Sequence, residues 1–129
     1  MSQIKVLVID DDLAMRGSLE LAFLMENFSV VTAESGMDAV KLVERERFDV
    51  AFTDLRMPGM SGLETLTALK KLDPALPVVV ISAYISGGTA AECMRHGAFE
   101  FLRKPFELKE ILSVTRRAVD RQHDCSSER

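Results

Sequence analysis

A chain of 129 residues, 47% hydrophobic and 28% charged, fits one soluble domain that buries roughly two-thirds of its unfolded surface. Its formal net charge of −4 lacks the basic footprint of a nucleic-acid binder, so no direct nucleic-acid contact by this domain is expected. Cys93 and Cys125 are too few for a disulfide framework, no apolar run approaches a membrane span, and MSQIKVLVID has no basic region ahead of a cleavable apolar segment, so a reduced, cytoplasmic domain without membrane contact is expected.

Apolar runs alternate with stretches of helical period along the chain. Residues 4–9 form a short β-branched run, and 13–26 carry Met15, Leu19, Ala22 and Phe23 on one helical face. Residues 29–33 read as a second strand. Ser35-Gly36 then opens a helix striped by Ala39, Val40 and Val43. Residues 49–53 (DVAFT) read as strand three, and Pro58-Gly59 with Ser61-Gly62 as a loop. A helix over 63–72 ends at Asp73-Pro74, and VVVI at 78–81 is strand four.

Ser86-Gly87-Gly88 reads as a further break, either a plain loop or a soft segment. A short helix over 89–96 follows, with Gly97 as its C′ residue. Residues 99–102 read as strand five. The last helix, 107–121, carries Leu108, Ile111, Leu112, Thr115 and Val119 along one face and Arg116, Arg117 and Arg121 elsewhere. The expected organisation is a domain over 1–121 and a polar, frayed tail or start of a linker over 122–129.

Five strand–helix units in series predict an α/β fold with a parallel sheet covered on both faces. Continuously apolar strands such as VLVI, VAFT and VVVI suit burial on both sides. Sites in such sheets lie beyond the carboxyl ends of the strands, where the winding reverses.

The polar residues at those ends are the candidates. Strand one runs into Asp10, Asp11 and Asp12, strand three into Asp54, strand four into Ser82 and strand five into Lys104. Two carboxylates about 4 Å apart repel by roughly 4 kcal/mol at an effective dielectric near 20, so VLVIDDD needs solvent, a cationic side chain or a metal ion to offset it. Hard oxygen ligands in a small open site favour Mg²⁺. His96 and His123 are isolated and give no zinc spacing. Asp12 reads as an N-cap for the first helix, whereas Asp54 is followed by Leu-Arg-Met-Pro-Gly and caps nothing directly. Lys104-Pro105 is a candidate cis peptide.

VLVIDDD, FTDLRMPGMSGLE, VVVISAY and GAFEFLRKPF, in this order over about residues 4–121, together resemble the receiver domain of two-component response regulators. The wording is most similar to receivers of the nitrogen-regulatory, enhancer-binding activator class. The resemblance implies a flavodoxin-like (βα)5 fold with strand order 2-1-3-4-5. It implies that Asp54 accepts a phosphoryl group from a sensor histidine kinase. Asp11 would bind Mg²⁺ directly, Asp10 through a water, and the Arg56 backbone carbonyl would be a further ligand. Ser82 would hydrogen-bond the phosphoryl group, Lys104 would pair with it, and Phe101 would be the switch aromatic.

Serine at 82 and phenylalanine at 101 depart from the family's commoner threonine and tyrosine; without a tyrosine hydroxyl, coupling would be steric. Arg56 and Tyr84 occupy positions expected to slow self-dephosphorylation by blocking the hydrolytic water. Met94, Arg95, Phe99 and Glu100 border the face of helix 4, strand 5 and helix 5, expected to serve a homodimer or an output domain or partner, with transcription as the regulated process. A standalone receiver is the alternative. Two other classes are weaker. A haloacid-dehalogenase-like phosphatase would carry its nucleophile in a DxD motif at strand one, whereas the candidate nucleophile here follows strand three and Asp54-Leu55-Arg56 has no second acid; an inert pseudo-receiver would have lost an acid or the lysine.

Overall fold

The computed structural model describes residues 3–83 and 87–127, with side chains through residue 120. Five strands and five helices alternate: β1 (Lys5–Ile9), α1 (Leu13–Met25), β2 (Ser29–Ala33), α2 (Gly36–Arg45), β3 (Val50–Asp54), α3 (Gly62–Leu72), β4 (Val78–Ser82), α4 (Gly87–Arg95), β5 (Glu100–Arg103) and α5 (Leu108–Ser127). All strand pairs are parallel, in the order β2-β1-β3-β4-β5. This is the flavodoxin-like arrangement that the sequence predicts.

The pleat splits each strand between two cores. Leu7, Ile9, Ala51, Val78 and Val80 pack with Ala39 of α2, Leu66 and Leu69 of α3 and Cys93 of α4. Val6, Val8, Val50, Phe52, Val79 and Ile81 pack with Leu19 and Phe23 of α1 and Ile111, Val114 and Ala118 of α5. Alternate residues thus serve opposite faces, and both faces are apolar, hence the unbroken apolar runs.

Helix ends follow their capping chemistry. The Asp12 carboxylate accepts the Ala14 N–H at 3.0 Å, confirming it as the α1 N-cap. Ser61 and Glu64 form a reciprocal capping box at α3. After α4, Gly97 sits at φ +100°, its N–H donating to Met94 and the Ala98 N–H to Cys93, both at 3.1 Å. That pairing satisfies two orphan carbonyls and needs a residue tolerant of the left-handed region. Asn27 takes the same place after α1 at φ 64°, with Phe28 stacked on Phe23 at 5.9 Å.

Several boundaries differ from expectation. β3 and β4 end one residue later, so Asp54 and Ser82 are the last strand residues rather than the first beyond them. β5 covers 100–103 instead of 99–102. Gly87 and Gly88 belong to α4 and do not break it; first-turn N–H groups have no intrahelical partner, so glycine is tolerated there. Ser86 lies outside the described residues. α5 continues to Ser127, past the expected Arg121, because no glycine or proline follows to stop it. Leu108 is half exposed, while Val114 and Ala118 are buried in its stead. Among the described residues, no helix is long and apolar enough to cross a membrane.

Candidate functional site

The sheet reverses its winding between β1 and β3, which are neighbours in space but not in sequence. The β1–β3 register pairs Ile9 with Thr53, so the next residues, Asp10 and Asp54, lie side by side at the carboxyl edge. β4 flanks β3 on the other side, with Asp54 opposite Ile81. The Lys104 N–H donates to the Ser82 carbonyl at 2.9 Å, and the Lys104-Pro105 peptide is cis. Four strand ends therefore meet at one edge.

The side chains converge there. One oxygen each from Asp10, Asp11 and Asp54 lies within 4.8 Å of the others. The Lys104 Nζ stands 3.3 Å from Asp54 Oδ2 and 3.8 Å from Asp10 Oδ2. Asp10 is buried, Asp54 half-buried and Asp11 exposed, so the acids step from the core to solvent. Ser82 is buried beside them at the end of β4. Each close pair among these three carboxylates repels by roughly 3–4 kcal/mol at an effective dielectric near 20, and two of them, Asp10 and Asp54, pair with Lys104.

Burial raises the Asp10 carboxyl above the ordinary aspartate range, and the Asp54 and Asp11 charges push it the same way. The Asp12 N–H at 2.9 Å from Asp10 Oδ1 and the Lys104 ammonium oppose that rise without cancelling it. A buried carboxylate that resists ionisation gains most from a bound cation. The set is all oxygen, with one member open to water, which fits a small hard divalent ion that keeps part of its hydration shell.

The other candidates fall in different places. Arg56 is exposed, with its N–H 3.4 Å from Asp54 Oδ1. Phe101 is half-buried and packs against the α2–α3–α4 core. Tyr84 lies outside the described residues. Met94 and Arg95 are exposed on α4, and Glu100 of β5 accepts from Arg117 of α5 at 3.2 Å. Arg116 pairs with Glu26 at 3.6 Å.

Sequence reasoning missed three residues that hold this edge. Arg16 Nη1 donates to the Asp10 carbonyl at 2.8 Å, tying α1 to the end of β1. Thr53, fully buried, donates through Oγ1 to the Asp54 carbonyl at 3.0 Å. Gly62, read as part of a loop, is the first residue of α3 and packs on the backbone of Asp54 and Leu55. A signal existed for the last: Ser61 followed three residues later by Glu64 is a capping-box pattern that starts the helix at 62.

Residues 6–116 match the response regulator receiver domain family. The chain belongs to that family. It is 34% identical over 125 residues to the transcriptional regulatory protein ZraR of Escherichia coli (strain K12), covering 97% of this chain and 28% of that protein. It is 35% identical over 114 residues to the DNA-binding transcriptional regulator NtrC of the same organism, covering 88% and 24%. The chain thus spans about a quarter of the length of these relatives. Among solved structures, a response regulator receiver domain protein from Clostridium thermocellum superposes with a TM-score of 0.89 at 29% identity, covering 93% of this chain and 97% of that one. The structure titled FixJ-N matches with a TM-score of 0.84 at 35% identity, covering 93% and 96%. This receiver therefore has named transcription regulators among its relatives, in keeping with the wording of its motifs.

Proposed function

We propose that this receiver is a phosphorylation-dependent signalling switch whose phosphoacceptor is Asp54. The observation that carries this reading is the half-buried Asp54 carboxylate, clustered with Asp10 and paired with Lys104 at the winding reversal of the sheet. The donor is a phosphohistidine on a sensor histidine kinase. An Asp54 oxygen bonds to phosphorus as the phosphorus–nitrogen bond breaks, and the imidazole, protonated on its other nitrogen, leaves neutral. Phosphoryl transfer of this kind depends on positioning and charge stabilisation more than on covalent help.

Asp11 and Asp54, with Asp10 through a water and the Arg56 carbonyl, would hold Mg²⁺. The bound ion supplies positive charge that lets an anion approach an anion. Lys104 reaches Asp54 Oδ2 and supplies a second positive charge beside the acceptor. Burial raises the Asp10 pKa, and a bound cation would favour its charged form.

An acyl phosphate adds about −1.5 to −2 of charge and three acceptor oxygens. Ser82 donates its hydroxyl to that group, and Lys104 shifts toward it from its present carboxylate partners. They lie at the carboxyl ends of β4 and β5, which lead into α4 and α5, so the charge is read out at the face formed by α4, β5 and α5. Phe101, half-buried, couples the movement by packing alone. Moving a switch from 1:99 to 99:1 takes about 5.5 kcal/mol of differential interaction. The output is regulation of transcription, through an output domain or a partner protein, with homodimerisation at that same face. Arg56 and Tyr84 slow phosphoryl loss by blocking the water; an Arg56→Ala/Tyr84→Ala double variant therefore loses the group faster.

Incubation with acetyl phosphate and Mg²⁺, read by intact mass, tests the reading. The expected result is a gain of one phosphoryl group, abolished by Asp54→Asn and by chelation of the metal. No gain from acetyl phosphate or from any phosphorylated histidine kinase would mark the chain as an inert binding module. Turnover of small phosphate esters would mark it as a phosphatase.

A further inference from the structure

We propose that Gly62 is a positioning residue for the phosphoacceptor, fixing the end of β3 through direct backbone contact that no other residue type permits. The proposal deepens the site reading above and rests on it. A Cβ at position 62 would lie 2.3 Å from the Asp54 carbonyl oxygen, 2.5 Å from Leu55 Cα and 2.8 Å from the Leu55 carbonyl oxygen. All three are main-chain atoms, so no rotamer change relieves the contact. The Gly62 N–H also donates to the Leu55 carbonyl at 2.8 Å, closing the loop of residues 55–61.

Conformational freedom does not explain the glycine. Among the described glycines, only Gly59 and Gly97 have positive φ, so alanine fits the backbone angles at 62 and has the better helix propensity. What glycine permits here is close approach. α3 cannot retreat to make room, because Leu66 and Leu69 are fully buried in the core beneath it. The end of β3 must yield instead. That end carries the Asp54 carboxylate and runs into Arg56, whose N–H faces Asp54 Oδ1 at 3.4 Å.

Gly36 supplies a matched contrast. A Cβ there would meet Thr65 Oγ1 at 2.2 Å and Met60 Sδ at 3.0 Å, both side-chain atoms, not the main chain of β3. Both glycines are buried. Gly36→Ala therefore disturbs packing between α2 and α3, whereas Gly62→Ala disturbs the strand end that bears the acceptor.

The test uses the full chain. Calorimetric titration with MgCl₂ should show Gly62→Ala weakening Mg²⁺ binding about tenfold or more, since small misplacements of a site are expensive. Gly36→Ala should stay within about twofold, because it leaves the ligating strand ends in place. A folded Gly62→Ala variant with unchanged Mg²⁺ affinity, or a Gly36→Ala variant weakened as much, would overturn the proposal. Linkage is reciprocal, so occupying the site must in turn tighten the Gly62–Leu55 closure. In the unsubstituted chain, saturating Mg²⁺ should slow exchange of the Gly62 amide about fivefold more than that of Asp49, whose N–H is bonded to Lys5 at the far end of the sheet. This second readout decides the matter if Gly62→Ala does not fold, and equal slowing of both amides would overturn the proposal. Failure of the unsubstituted chain to bind Mg²⁺ at all would instead overturn the site reading, and this proposal with it.

Discussion

The two ends of the sheet handle charge in opposite ways. At the amino end, Asp49 accepts the Lys5 N–H at 2.8 Å and returns its own N–H to the Lys5 carbonyl at 2.8 Å. The Lys5 ammonium pairs with Glu46 and lies 5.1 Å from the centre of the Phe48 ring. Each charged group there has partners supplied by the fold. At the carboxyl end, two of three clustered carboxylates, Asp10 and Asp54, share the Lys104 ammonium, and burial raises the Asp10 pKa. Both ends tie β1 to the chain around β3, but the carboxyl end holds clustered negative charge that a cation would offset. Electrostatic completeness stabilises; incompleteness makes a site.

The comparison can be broken most severely at Asp54. Asp54→Asn should remove phosphoryl uptake altogether, a loss of about a thousandfold or more, since a neutral amide is no nucleophile toward phosphorus; the initial rate of mass gain checks this. Lys104→Met should slow uptake by about a hundredfold, the usual scale for removing one charge-stabilising donor, while leaving Asp54 able to react.

Asp10 gives the carboxyl end a pH dependence that follows from its raised pKa. Protons compete with Mg²⁺ for that carboxylate, so affinity should fall about tenfold per pH unit below the raised value and level off above it; titrations at several pH values read this directly. In metal-free protein the sign reverses. A folded-state pKa above the unfolded one means that the native state binds the extra proton. That contribution is fully present below the ordinary aspartate value and is lost as pH rises through the raised one. Asp10→Asn removes the loss, so at neutral pH, without metal, it should raise Tm while abolishing tight Mg²⁺ binding. The amino end supplies the smallest effect: Lys5→Met should cost about 0.5 kcal/mol by denaturant unfolding, as for a part-exposed pair, with Mg²⁺ affinity unchanged.

Much of this architecture is legible in the residues themselves. VLVI and VVVI read as doubly covered strands because both faces of the sheet are packed by helices, and the strand ends announced Asp10, Asp11, Asp54, Ser82 and Lys104. Asp12 was readable as a cap because aspartate before a helical stripe has that chemistry. The phase of α5 was not readable. Leu108 continues the 3.6-residue pattern, yet it stands half exposed at the first turn, while Val114 and Ala118 face β5 and its neighbours. Periodicity gives a stripe but not where the sheet stops. Nor did the sequence reveal that Gly62 touches Asp54, since a close approach between distant residues leaves no local pattern beyond the glycine itself. Arg16 is hidden for the same reason: its bond to the Asp10 carbonyl spans two elements.

The most direct test asks where the phosphoryl group goes. Chain treated with a phosphodonor and Mg²⁺ is reduced with borohydride, which converts an aspartyl phosphate to homoserine, and the modified residue is located by peptide mass. The account predicts conversion at Asp54 alone, dependent on Mg²⁺. Conversion at Asp10, Asp11 or Asp12, or none at any carboxylate of a chain that has gained the phosphoryl mass, would contradict it.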